Sequence, residues 1–123
     1  MASPNLDKLH REISETRFFE GLSAVDNWDE ALGQRDQAEF DNAWTESQRA
    51  LSSKHYLHHA DEIEVTNLRE SVFKAVFRLT SNAEAAGYVS DDFGLIGEAV
   101  SKGCLSEWIE WLLKVYRSGK FPW

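Results

Sequence analysis

Three of the four histidines lie close together in the chain, and imidazole is the side chain best suited to bind metal or transfer protons near neutral pH. They are His55, His58 and His59, and Glu62 follows them. If this stretch is helical, His55 and His59 share a face at a spacing that zinc or nickel can use. The order of residues is not that of a zincin, because no glutamate follows the first histidine. We favour the other interpretation, a solvated linker, and expect neither metal nor cofactor.

Catalysis has little support elsewhere in the chain. Cys104 is the single cysteine, and no histidine near it in sequence could activate it, so we expect a small buried hydrophobe. A glycine loop that would cradle phosphate and the Gly-x-Ser-x-Gly nucleophile elbow are both absent. We therefore predict that the protein is not an enzyme and assign no catalytic residue.

The stretch from Glu20 to Glu46, called the acidic segment below, concentrates negative charge. It holds eight acids and a single base, Arg35, with Trp28, Phe40 and Trp44 interleaved. One interpretation is an ordinary solvated helical face. However, like charges so crowded oppose compaction, which favours a face that binds a cationic partner, with Trp28 as an exposed anchor. The predicted binding residues are Asp26, Trp28, Asp29, Glu30, Asp36, Glu39, Asp41 and Glu46.

Length and charge limit the class of protein. A chain of 123 residues can bury a core as one domain, and we expect a single helical domain over residues 1–123. A net charge of −8 opposes binding to nucleic acid and to anionic membranes. No signal peptide is visible, and no apolar stretch approaches the roughly 18 residues of a membrane span. We expect a cytoplasmic protein, with a monomer favoured.

Apolar residues recur with helical periodicity along most of the chain. Ser3 and Pro4 suit an N-cap and a first helical position, and Leu6, Leu9 and Ile13 follow at helical spacing. Gly21 is the predicted stop of this first helix. A turn is predicted at 87–90, and close approach by another helix would explain Gly94 and Gly97 in the helix after it. Further helices are predicted at about 26–32, where Gly33 ends the helix, and at about 36–52, 61–82, 90–102 and 105–118. The predicted fold class is all-α, a single compact bundle of five or six helices.

Residues 90–122 resemble the small helical immunity proteins of bacterial toxin systems. The resemblance rests on an acidic helix start at Ser-Asp-Asp-Phe-Gly-Leu-Ile-Gly-Glu-Ala-Val and a tryptophan-rich amphipathic helix, Trp-Ile-Glu-Trp-Leu-Leu-Lys-Val-Tyr. A Tyr-x-x-Gly-x-x-Pro ending completes it. Such proteins bind and neutralise a cognate toxin, so the resemblance implies a toxin domain as the partner. It assigns no binding residue, because these families diverge at the surface that faces the toxin.

The acidic segment and the resemblance agree with one another. Many delivered toxins are nucleases with basic clefts, which an acidic surface would block. We therefore predict an immunity protein that binds a basic toxin domain. One alternative is an acidic mimic of nucleic acid that inhibits a DNA-binding protein. A second is a small metal-dependent enzyme at His55, His58, His59 and Glu62.

Overall fold

The computed structural model describes residues 4–15 and 17–123, and in these ranges it contains helices and no strands. The all-α prediction is therefore confirmed for the described part of the chain. The predicted N-cap Ser3 lies outside the described residues. The α-helices are α1 (Pro4–Ile13), α2 (Trp28–Arg35), α3 (Ala38–Ser52), α4 (Asp61–Thr80), α5 (Ala83–Lys102) and α6 (Glu107–Arg117), and a 3₁₀ helix spans Glu20–Ala24 between α1 and α2.

None of the helices in these two ranges is long and apolar enough to cross a lipid bilayer.

Helices α4 and α5 form a long hairpin at the centre of the molecule, joined by Ser81 and Asn82. Ser81 takes a left-handed conformation (φ 54°), and the Asn82 side chain caps α5 by accepting a hydrogen bond from the backbone N–H of Ala85 at 2.9 Å. The two helices approach closely at glycine. A Cβ atom added at Gly97 would lie 2.9 Å from Cδ2 of Leu68 on α4. The predicted reason for this glycine is thus confirmed.

The hydrophobic core lies around α5, which is buried along most of its length. Leu68, Val72 and Val76 cover it from α4, and the inner faces of α1 and α6 add further apolar side chains. The aromatic ring of Phe93 on α5 lies 4.9 Å from that of Tyr116 on α6. A helix that is buried along most of its length needs neighbours on several sides, which accounts for the other helices packed around it.

Two predicted helix ends are wrong. The predicted turn at 87–90 lies inside α5, because Asn82 starts the helix eight residues earlier than Ser90. Gly87 is tolerated there at a cost of about 1 kcal/mol relative to alanine. The predicted stop at Gly33 is also wrong, since α2 continues to Arg35. A buried ion pair between Arg35 and Asp92 of α5 holds this last turn in place.

Candidate functional site

All seven carboxylates of the predicted binding face are exposed. The Asn27 side chain caps α2 by accepting a hydrogen bond from the backbone N–H of Glu30 at 3.0 Å, which places the first acids at the positive end of the helix dipole. The helices distribute the acids as follows: Asp26 precedes α2, Asp29 and Glu30 lie in its first turn, Asp36 follows it, Glu39 and Asp41 lie in the first turn of α3, and Glu46 lies further along α3.

The single base of the acidic segment points into the protein. Arg35 is only 4 % exposed, and its Nη2 donates a hydrogen bond to Oδ1 of Asp92 on α5 at 2.6 Å. Its guanidinium carbon lies 4.1 Å from the centre of the Phe40 ring and 4.9 Å from that of Phe121. Within residues 4–15 and 17–123, no salt bridge involves any of the seven carboxylates. Their negative charge is therefore not neutralised by any salt bridge in these ranges.

Asp92 connects four helices through one buried carboxylate. Besides Arg35 of α2, the indole N–H of Trp44 on α3 donates to Oδ1 at 3.0 Å. The hydroxyl of Tyr116 on α6 donates to Oδ2 at 2.5 Å. The acidic segment is thus fixed to α5 by hydrogen bonds at the end of α2 and in the middle of α3, and the same carboxylate joins α5 to α6.

Burial governs the titration of this network. It raises the pKa of Asp92, and the adjacent Arg35 guanidinium and the hydrogen bonds oppose that rise. Burial, followed by the negative charge of Asp92, raises the pKa of the Tyr116 hydroxyl well above its ordinary value. Tyr116 therefore stays protonated at neutral pH and keeps donating its hydrogen bond.

Trp28 is half-buried rather than an exposed anchor. Its ring meets that of Phe121 edge-on, with the ring centres 5.2 Å apart. The more exposed tryptophans nearby are Trp111, on α6, and Trp123, at 39 % and 58 % exposure. They line a groove of about 560 Å³ together with Asp26 and Glu30.

A second, smaller cleft of about 180 Å³ lies where α2, α3 and α5 meet. Asp36 and Asp41 of the predicted face line it, and so does Asp91 of α5. The Tyr88 hydroxyl donates a long hydrogen bond to Asp36 at 3.4 Å. Four of the seven predicted acids therefore line these two concave surfaces, whereas Asp29, Glu39 and Glu46 line neither of them.

Comparison with known protein families decides what kind of protein this is. Residues 8–123 match the family described as Immunity protein PIM1. The chain belongs to this immunity protein family. The match includes residues 90–122, which carried the resemblance in the sequence, and extends over nearly all of the chain. No curated protein matches it. Membership of an immunity protein family implies a toxin as the partner.

The histidines do not form the arrangement that a metal site would need. His55, His58 and His59 are exposed and lie in the irregular connection between α3 and α4. The structure thus agrees with the favoured interpretation of a solvated linker, and the helical i,i+4 pair of His55 and His59 is not formed. Among the residues that the structure describes, no three His, Cys, Asp or Glu side chains are placed to hold a metal ion. Cys104 is half-buried beside the core.

Sequence reasoning missed Asp92, Tyr116 and the groove. One signal for Asp92 was present: it shares a helical face with Ile96 and Ala99, four and seven residues on, so its carboxylate had to enter the core. An acid at an apolar position indicates a buried partner. The groove left no comparable signal, because its walls come from the 3₁₀ helix, α2, α6 and the residues that follow α6.

Proposed function

We propose that this chain neutralises one cognate toxin domain by binding it in a one-to-one complex through the acidic segment. The contact residues are Asp26, Trp28, Asp29, Glu30, Asp36, Glu39, Asp41 and Glu46. The observation that carries the proposal is the inward orientation of Arg35, which leaves seven exposed carboxylates that form no salt bridge in the described ranges. The chain acts in the cytoplasm by occupying the toxin, without a catalytic step of its own.

Charge supports a toxin with a basic surface, and a nuclease is the class of toxin that fits best. Enzymes that act on DNA or RNA carry lysine and arginine around the active site, because the substrate is a polyanion. An acidic surface directed at such a cleft attracts it over long range and raises the association rate. The bound acidic surface also keeps the nucleic-acid substrate out of the positively charged cleft.

Co-expression tests the immunity function directly. The C-terminal domain encoded by the reading frame directly upstream is induced in a bacterial host, with and without this chain. We expect growth arrest that only this chain relieves, and no protection against an unrelated toxin. If the domain is harmless, or kills cells that also express the chain, the simplest form of the proposal fails. Competition with DNA for several unrelated basic proteins would instead support a nucleic-acid mimic.

Charge reversal tests the acidic segment as the binding surface. In the double variant Glu39→Lys and Glu46→Lys, we expect the toxin to bind at least about tenfold more weakly, chiefly through slower association. Both side chains are exposed, so circular dichroism should show an unchanged helical fold. Surface plasmon resonance measures the two rate constants.

A matched control separates the surface from the overall charge. Asp7→Lys with Glu15→Lys changes the net charge equally, and Asp7 lies in the first turn of α1 as Glu39 does in that of α3. Both control residues are exposed, and α1 packs against α4 and α5. We expect this variant to bind nearly as well as the natural chain. Equal losses in the two variants would remove the acidic segment from the binding site.

A further inference from the structure

The groove beside α2 has the features of a docking site for an inserted side chain. Its volume is about 560 Å³, and its walls come from the 3₁₀ helix and the start of α2 on one side and from α6 and the residues after it on the other. Val25, Val115 and Pro122 give it apolar walls. A concave apolar surface of this size can take one or two large side chains of a partner.

Two tryptophans provide exposed aromatic surface in the groove. Trp111 and Trp123 are 39 % and 58 % exposed. Trp111 is held from behind, since its ring centre lies 6.0 Å from that of Trp108 and 6.3 Å from that of Phe40. A large aromatic ring that is already fixed loses little conformational entropy on binding, and tryptophan is enriched among the residues that dominate interface energy.

The base of the groove is closely packed. A Cβ atom added at Gly21 would lie in contact with the backbone of Gly119, so the 3₁₀ helix and the chain after α6 touch backbone to backbone. Trp28 packs edge-on against Phe121 on the same side of the molecule. The groove of about 560 Å³ is thus already formed in the chain without a partner.

The rim of the groove is acidic. The groove is lined by two exposed carboxylates, those of Asp26 and Glu30, and by one basic side chain, that of Lys120. Neither carboxylate takes part in a salt bridge within the described ranges. An apolar groove with an excess of acid at its edge complements an apolar side chain that has lysine or arginine beside it.

We propose that the toxin inserts a large apolar side chain, flanked by lysine or arginine, into this groove and packs it against Trp111 and Trp123. The inference rests on the proposed function, because the occupant is the toxin domain itself. The two aromatic rings supply most of the affinity and slow dissociation. Asp26 and Glu30 fix the orientation of the inserted segment through its basic residues.

The test uses the full chain and the toxin domain identified by co-expression. In Trp111→Ala and in Trp123→Ala we expect the Kd to rise at least 30-fold, about 2 kcal/mol, mainly through faster dissociation. Trp111 also touches core rings, so a variant that fills the groove is needed as well. Ala24 is exposed and lines the groove, and Ala24→Trp should block docking while thermal unfolding stays unchanged.

Phe77→Ala is the matched control. Phe77 is 45 % exposed on α4, a helix that contributes nothing to the groove lining, and it stacks on Phe73. We expect its Kd to change less than threefold. If Ala24→Trp binds normally, or if Phe77→Ala is the variant that loses affinity, the toxin docks elsewhere and the groove proposal is overturned. Self-association of the chain that Trp123→Ala abolishes would also overturn it, since a second copy would then occupy the groove.

These results are distinguishable from failure of the immunity proposal itself. If the natural chain neither binds the toxin domain nor protects cells, the proposed function fails before the groove is tested. If the natural chain protects and the groove variants protect equally well with unchanged Kd, the immunity function holds and only the docking site is wrong.

Discussion

At the scale of single residues, Asp92 is the most consequential side chain in the protein. It is fully buried and accepts hydrogen bonds from Arg35, Trp44 and Tyr116. A buried charge is tolerated only when it is paired and hydrogen-bonded, and here each partner comes from a different helix. The carboxylate therefore specifies how α2, α3 and α6 are arranged on α5.

Asp92→Asn is expected to destabilise the fold by about 3–5 kcal/mol, because it leaves the buried guanidinium of Arg35 without a counter-charge. Urea unfolding followed by circular dichroism measures the loss. Asp91→Asn is the matched control: Asp91 pairs with Arg69 at 2.6 Å, but both side chains are about half exposed, so its loss should stay below about 1 kcal/mol. Equal losses would show that the network contributes no more than a surface pair.

At the scale of elements, one backbone contact holds the 3₁₀ helix against the chain that follows α6. A Cβ atom added at Gly21 would overlap the carbonyl oxygen of Gly119, so only glycine permits this approach. Gly119 itself has a positive φ of 81°, which favours glycine. The sequence suggested Gly21 only as the end of α1, whereas its role is to allow this approach, which fixes one side of the groove.

Gly21→Ala should therefore destabilise the protein by about 1–3 kcal/mol, since the two segments must separate to admit the methyl group. Differential scanning calorimetry measures the effect. Gly33→Ala is the control, because no atom lies within 4 Å of the position that its new methyl group would take and the residue is inside α2. It should stabilise the fold by up to about 1 kcal/mol through helix propensity. A Gly21→Ala protein as stable as the natural chain would contradict the packing described at the groove.

At the scale of the whole molecule, the distribution of charge matters more than its total. The net charge is −8, and the acidic segment contributes a cluster of exposed carboxylates while its one base is buried. Such a field extends about one Debye length, near 8 Å at physiological ionic strength, and it acts on a partner before contact.

Raising the salt concentration from about 20 mM to about 500 mM should lower the association rate constant with the toxin at least tenfold. The dissociation rate should change much less, because desolvated apolar contacts in the groove are not screened. Stopped-flow fluorescence at several salt concentrations measures both. The Glu39→Lys and Glu46→Lys variant should show a flatter salt dependence, and an unchanged slope would contradict steering by the acidic segment.

Local features of the chain were sufficient to predict the helical fold class, the positions of most helices and the exposure of the seven acids. Helical periodicity and surface charge act over a few residues, so they can be recognised without knowing how the helices pack. The start of α5 was mistaken because Gly87 and Ser90 suggested a turn, although the Asn82 cap had already begun the helix.

Tertiary structure alone decided which charges are paired and which aromatic rings remain accessible. Arg35 and Asp92 are 57 residues apart in the chain. The residues around each of them in sequence do not indicate that the two side chains form a pair. The groove depends in the same way on the packing of α2 against the chain that follows α6, which partly buries Trp28, while Trp111 and Trp123 remain accessible. Pairing and exposure of this kind are properties of surfaces brought together by folding, so the composition of a segment cannot determine them.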